Sequence, residues 1–134
     1  MTDPNELADR YVAIWNEPDP ERRRAAVKEL WSEGGVQVLN PPQEVRESAA
    51  TLAMSPIFES RGHSELEARV TRAYEQFSDK YEFRRSGDAG RLQDVLTFRW
   101  EAILRDSGES DAGGRHVFLL DPDGRIRRDY LFVD

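Results

Sequence analysis

The chain has 134 residues, no cysteine and a formal net charge of −7. That length suits one domain with its own core, burying roughly two-thirds of the surface its unfolded chain exposes. The absence of cysteine excludes disulfides, thiolate nucleophiles and cysteine-ligated metals, and the acidic balance argues against a nucleic-acid partner.

The opening Met1-Thr2-Asp3-Pro4-Asn5-Glu6 has neither the basic nor the apolar region of a secretory signal. No apolar run approaches the roughly 18 residues of a membrane span. A soluble, cytoplasmic protein without membrane contact is the expectation.

Asp3-Pro4-Asn5-Glu6 reads as a helix start, with a capping Asp, Pro at the first helical position and Glu at the third. Leu7, Tyr11, Ile14 and Trp15 then share one apolar face. Pro18 ends that helix, and Asp19-Pro20-Glu21 starts a second in the same way. Its inward residues are Ala26, Val27, Leu30 and Trp31, and Gly34-Gly35 is expected to close it. The run Arg22-Arg23-Arg24 reads as a solvated helix face. Val36–Leu39 reads as a short strand broken by Asn40-Pro41-Pro42.

Residues 43–61 look like an insertion or lid, with a helix near Glu44–Ala53 and a loop over Met54–Arg61. Ser64 and Glu67 form a capping-box pattern ahead of Leu66, Val70, Ala73, Tyr74 and Phe77, which predicts a long amphipathic helix. His63, just before it, reads as a surface or hinge residue. Tyr81 and Phe83 alternate in a strand ending at Gly87–Gly90. Leu92–Leu104 predicts a long strand rich in β-formers. A polar loop spans Arg105–Gly114. Asp121-Pro122-Asp123-Gly124 predicts the turn of a closing β-hairpin.

No repeat or linker divides the chain, so one domain over 1–134 is expected. Helices precede a mainly antiparallel meander, which is an α+β layout: a curved sheet wrapped by N-terminal helices, with a pocket between the layers.

Strand alternation assigns the faces. If Ile126 and Phe132 are core, Arg128 and Tyr130 point inward with them. On the hairpin partner His116, Phe118 and Leu120 share a face; on the long strand Asp94, Leu96, Phe98 and Trp100 do. Asp94 and His116 are then polar groups among aromatics. They need partners, because burying them alone costs roughly 2–7 kcal/mol or more. Asp94 pairs with His116 as orienter, or with Arg128 as a structural ion pair.

Arg10–Asn16, the segment Leu30–Pro41 and the hairpin ending Asp123-Gly124-Arg125-Ile126, taken in order, resemble the nuclear transport factor two-like superfamily, nearest its SnoaL-like branch. The resemblance covers nearly the whole chain except 43–61. It implies a cone-shaped α+β barrel with an internal pocket and a homodimer formed through the sheet. Ketosteroid isomerase belongs to this superfamily. Its oxyanion-hole tyrosine lies in an Arg-Tyr pair matched by Arg10-Tyr11. Its general base, an Asp before Pro, falls at Asn40-Pro41, and its second oxyanion donor falls at His116. An amide cannot abstract a proton, so the base is lost at Asn40. Cyclases of the SnoaL type carry an acidic residue near the His116 position. Epoxide hydrolases of the superfamily use an Arg-x-Asp pattern. Here Asp94 matches the Asp, but Leu92 stands at the Arg.

Two readings follow. One is a pocket that binds a small, mostly apolar ligand without isomerase activity. The other is an isomerase, cyclase or hydrolase in which His116 and Asp94 move a proton while Tyr11 and Asn40 polarise an oxygen. A histidine suits that task because its unperturbed pKa lies near neutrality. Tyr11, Trp15, Trp31, Asn40, Phe98, Trp100, His116, Phe118 and Tyr130 are the expected lining, although Tyr11, His116 and the aromatics read equally well as satisfied core residues. No cofactor is expected: there is no Gly-rich phosphate loop, and His63 and His116 are too far apart in sequence to suggest a metal site. A homodimer is expected because the outward face Val95, Thr97, Arg99, Val117 and Leu119 would be half exposed in a monomer.

Overall fold

The first two helices begin where their caps predict. Asp3 accepts from Asn5 N at 2.8 Å and opens α1 (Pro4–Asn16); Asp19 accepts from Glu21 N at 2.9 Å and opens α2 (Pro20–Leu30). The computed structural model describes residues 3–40, 43–53 and 58–134. After α2 come β1 (Trp31–Leu39), α3 (Gln43–Thr51), β2 (Phe58–Arg61), α4 (Gly62–Phe77), β3 (Tyr81–Leu92), β4 (Val95–Leu104), β5 (Ser110–Leu120) and β6 (Ile126–Val133).

The strands form one curved, unclosed sheet in the order β2-β1-β6-β5-β4-β3. Only the β1–β6 pair is parallel; the other four pairs are antiparallel. Helix α1 packs on β3, α4 on β1, and α2 on α4. Tyr11, Ile14, Leu66, Val70, Leu96, Phe118 and Ile126 are among the buried side chains of the core between these layers. The α+β cone expected from the sequence is therefore the fold of the chain.

Several boundaries differ from the sequence reading, each for a local reason. Helix α2 stops at Leu30, and Gly34-Gly35 lie inside β1 rather than closing the helix. There the register with β6 shifts between Trp31 and Val36. Residues 58–61 form a strand pairing with β1, not a loop; Met54 to Ile57 lie outside the described residues. Helix α4 begins at Gly62, so the Ser64–Glu67 box is not its cap. Instead Glu65 accepts from Arg61 N at 3.0 Å. His63 is not a free surface residue, since its Nε2 bonds Trp31 O at 2.9 Å. Arg23 leaves the solvated face of α2: it is buried, donates to Glu17 O at 2.6 Å and lies over the Tyr74 ring. Strand β3 continues to Leu92 through a register shift between Ser86 and Gly90, where Gly87 takes a positive φ. Asp94 sits in the tight β3–β4 turn, exposed, rather than on the inner face of a strand.

The decisive correction is in β6. Leu120 pairs with Ile126, but Leu119 pairs with Arg128, so Arg127 is one residue extra on this strand. Such a bulge flips the alternation beyond it. Ile126 is inward as expected. Past the bulge Asp129 and Leu131 are buried, while Arg128 and Tyr130 turn to the outer face and Phe132 is 48% exposed. The predicted inward set Arg128, Tyr130 and Phe132 is thus the outward one.

Gly114 shows how closely β5 is enclosed. A Cβ there would fall on the carbonyl oxygen of Phe132 and 2.8 Å from Trp100 Nε1. Gly114→Ala should destabilise the protein by about 2 kcal/mol or more, because neither the strand backbone nor the indole can retreat. Chemical denaturation showing a change below about 0.5 kcal/mol would contradict this packing.

Candidate active site

Four side chains meet beneath the sheet's inner face. The bulge sends Asp129 inward with no exposed surface. Tyr11, on the buried face of α1, donates its hydroxyl proton to Asp129 Oδ2. Gln37 of β1 donates Nε2–H to the same oxygen at 3.0 Å and lies 3.1 Å from the Tyr11 hydroxyl. His116 of β5 places Nδ1 2.8 Å from Asp129 Oδ1. All four are at least 95% buried. The carboxylate so gathers three donors from α1, β1 and β5, which is how a buried carboxylate avoids its desolvation penalty.

This wiring sets proton positions. An ionised carboxylate only accepts, so His116 donates from Nδ1. In the neutral ring Nε2 then carries the lone pair, and only Nδ1 is hydrogen-bonded among the described residues. Rings fix the imidazole: Phe98 stacks on it at 5.1 Å and Tyr11 meets it edge-on at 4.8 Å. Tyr11 has one proton, and it is committed to Asp129. Burial raises the Tyr11 pKa well above its ordinary 10.0, and the neighbouring Asp129 charge raises it further.

Above this cluster lies a cavity of about 550 Å³, within the range of small-molecule sites. Helix α1 contributes Tyr11, Val12 and Trp15; α4 contributes Arg69, Ala73 and Phe77, spaced four apart on one face. Phe83, Trp100, Ala102, His116 and Leu131 come from the sheet. Asn40, just past β1, also lines it, as do Gln43 and Arg46 of α3. Trp15 Nε1 and Trp100 Nε1 are buried with no hydrogen-bond partner among the described residues.

Of the residues named from the sequence, Tyr11, Trp15, Asn40, Trp100 and His116 come together on this cavity. Trp31, Phe98 and Phe118 do not line it; they are buried behind Tyr11, with ring centroids 6.1, 6.0 and 4.8 Å from it. Tyr130 lies on the opposite face of the sheet, next to Arg128. Asp94 is far from His116 in the fold; the charged groups nearest it are on Arg127, 3.9 Å away, not on Arg128. Asn40 is anchored to β6: its backbone N–H bonds Leu131 O at 3.2 Å and its Oδ1 accepts from Val133 N at 2.9 Å. Gln37 and Asp129 join the site without being among the residues the sequence pattern singles out. Gln37 sits mid-strand between valines, and a polar residue there was itself a signal. Asp129 was hidden by the bulge. Among the described residues no three His, Cys, Asp or Glu side chains converge to hold a metal ion, and no helix is long and apolar enough to cross a membrane.

No protein-family model and no curated protein matches the chain. Among solved structures, a candidate isomerase of the SnoaL-like family from Agrobacterium tumefaciens is 30% identical, with 100% of this chain and 99% of that one covered and a TM-score of 0.80. The chain belongs to the SnoaL-like family. Two more distant structures share the fold. An NTF2-like protein from Exiguobacterium is 18% identical over 96% of this chain and 98% of that one, with a TM-score of 0.64. A candidate polyketide cyclase from Sinorhizobium meliloti is 12% identical over 94% and 93%, with a TM-score of 0.58. These two establish likeness of fold alone. Within the SnoaL-like frame, the polar floor of this cone is Tyr11, Gln37, His116 and Asp129.

The raised Tyr11 pKa has a measurable consequence. A group whose folded value lies above its unfolded one stabilises the protein fully below the unfolded pKa. That contribution fades as the pH climbs through the folded value. Tyr11 should thus stay protonated in the folded protein at about pH 10–11, where an ordinary tyrosine ionises. The ultraviolet phenolate titration of folded Tyr11→Phe should overlay that of the wild type in this range. Loss of one tyrosine's absorbance change in the variant would refute it.

Proposed function

We propose that this SnoaL-like protein binds a small, mostly apolar molecule in the cone cavity and moves a proton on it, with His116 Nε2 as the base and Asp129 holding the ring. The observation that carries this reading is the buried Asp129–His116 pair, 2.8 Å apart, whose free nitrogen belongs to a ring lining the cavity. A carboxylate behind an imidazole fixes its tautomer and stabilises the imidazolium formed on protonation. The step is balanced within the substrate. His116 takes a proton from a carbon beside a carbonyl, the electron pair moves onto that oxygen, and the proton returns at another carbon. Asn40 lines the cavity with its Oδ1 engaged by Val133 N, which leaves its Nδ2–H group as a donor for the charged oxygen. Tyr11 supports His116 and Asp129 rather than the substrate, because its proton is already engaged. The description of the Agrobacterium relative as an isomerase candidate supports the same reaction class.

The test is deuterium uptake. In D₂O, with 2-tetralone as probe, the wild type should speed exchange at the carbon next to the carbonyl. His116→Ala should lose about 10²–10⁴-fold of that acceleration, and Asp129→Asn a large part of it. Equal rates in wild type and His116→Ala would overturn the assignment.

A second reading, a binding domain without turnover, is favoured by Asn40, which stands where the superfamily's isomerase has its base. On that reading the wild type exchanges no proton, and Asn40→Asp gains the activity.

We also propose a homodimer through the outer sheet face. Val95, Thr97, Val117 and Leu119 are all part-exposed there, beside the outward Tyr130 and the 48% exposed Phe132. A face of this kind is normally covered. Sedimentation at micromolar concentration should give twice the 15.4 kDa chain mass; a monomer would refute the dimer.

A further inference from the structure

The cavity wall contains a cation that the proton-transfer reading does not use. Arg69 projects from α4 into the lining, and its guanidinium lies 5.3 Å from the Trp15 ring centroid. It makes no ion pair and no hydrogen bond among the described residues. Every Asp and Glu of the protein lies within those residues, so no acidic side chain pairs with it. Burial disfavours its charge, and the Tyr11 and Asp129 side oppose that loss, so the three groups share one field.

The other charged groups around the cavity leave Arg69 without a partner. Arg46 of α3 is a second lining cation, also without an ion pair among the described residues. The lining anion, Asp134, is held by Arg99 at 2.7 Å. Asp129, on the floor, is saturated by three donors. Of the lining groups Arg69 is thus the part-buried cation that no acidic side chain engages among the described residues. The Arg69 guanidinium on this wall has no acceptor among the described residues. Such groups are costly to bury and gain most from a ligand that brings acceptors. A guanidinium fork matches the two oxygens of a carboxylate. Val12, Ala73, Phe77, Phe83 and Leu131 give the rest of the ligand an apolar bed.

We infer that the ligand of this cavity is a small apolar carboxylic acid, bound as its anion to Arg69 over Trp15, with its hydrocarbon body between α4 and the sheet. The inference rests on the reading of the cavity as the ligand site and narrows the substrate class for that site. It also gives the substrate an orientation: the carboxylate at α4, the reacting carbon at His116.

The test is calorimetric binding of two probes of one shape, 2-naphthoate and 2-naphthalenemethanol, to the full chain. The wild type should bind the acid at least tenfold more tightly than the alcohol. Arg69→Met should abolish that preference while still binding the alcohol, which also shows that the variant is folded. Arg69→Lys should keep part of the preference. Equal binding of acid and alcohol by the wild type, or an undiminished preference in Arg69→Met, would overturn the carboxylate inference and leave the cavity reading standing. Binding of neither probe at millimolar concentration would overturn both. Tighter binding of 2-naphthyl phosphate than of 2-naphthoate would replace the carboxylate with a phosphate.

Discussion

A carboxylate with no exposed surface organises this structure. Placing Asp129 in the core without partners would cost several kcal/mol, a large part of the net stability of a domain this size. The cost is met by three donors, and each comes from a different element: Tyr11 from α1, Gln37 from β1 and His116 from β5. These bonds tie the first helix to the two strands that flank β6. They also fix register. A one-residue slip of β6 would carry Asp129 to the outer face and leave all three donors unpaired. The extra residue at Arg127 is therefore a requirement: it keeps Ile126 in the core and still turns Asp129 inward.

The same network divides the space inside the sheet. On one side of Tyr11, Trp31, Phe98 and Phe118 fill the cone completely. On the other, Trp15 packs on Tyr11 and Phe83 meets Trp100 edge-on, and these rings line the open cavity. A protein under selection for stability alone would close such a space, since open volume forfeits dispersion contacts and two indole N–H groups sit unpaired. The closed half holds the imidazole still, by stacking Phe98 on it. The open half is where that ring meets the cavity.

The sequence made the elements legible wherever a local signal decides. The Asp-Pro caps, the Asp121–Gly124 turn with Gly124 at φ +85°, and the alternation His116, Phe118, Leu120 all lie where local chemistry places them. Five of the nine expected lining residues reach the cavity for the same reason. What escaped depends on non-local pairing. The bulge at Arg127 is created by the mismatch of two strands, and nothing within Ile126–Val133 announces it. Alternation carried through it therefore chose Tyr130 over Asp129. Asp94 was assigned to a strand face because Leu92–Leu104 reads as continuous. In the fold, Gln93 adopts a positive φ of 54° and makes a hairpin there. The pairing of His116 with an acidic residue was a sound demand of buried chemistry; only the identity of that residue required the third dimension.

Charge separation within the chain bears on how such a site would work. The chain is acidic overall, while the cavity has Arg46 and Arg69 in its wall, Asp134 already bound to Arg99, and Asp129 held by three hydrogen-bond donors on its floor. Beyond a Debye length of roughly 8 Å the exterior gains nothing from attracting an anion, and close in it repels one. Capture of an acidic ligand would then rest on short-range terms: burial of its hydrocarbon body, worth about 25 cal/mol per Å², and a guanidinium that has already lost much of its own hydration. An arginine prepared in this way gains more from an arriving carboxylate than an exposed one does, because the desolvation has been met in folding rather than in binding. Highly charged polyanions would be disfavoured at the surface before they reached that donor. Such a site would favour a single negative charge on an apolar body, through the contrast between an acidic chain and a guanidinium in the cavity wall.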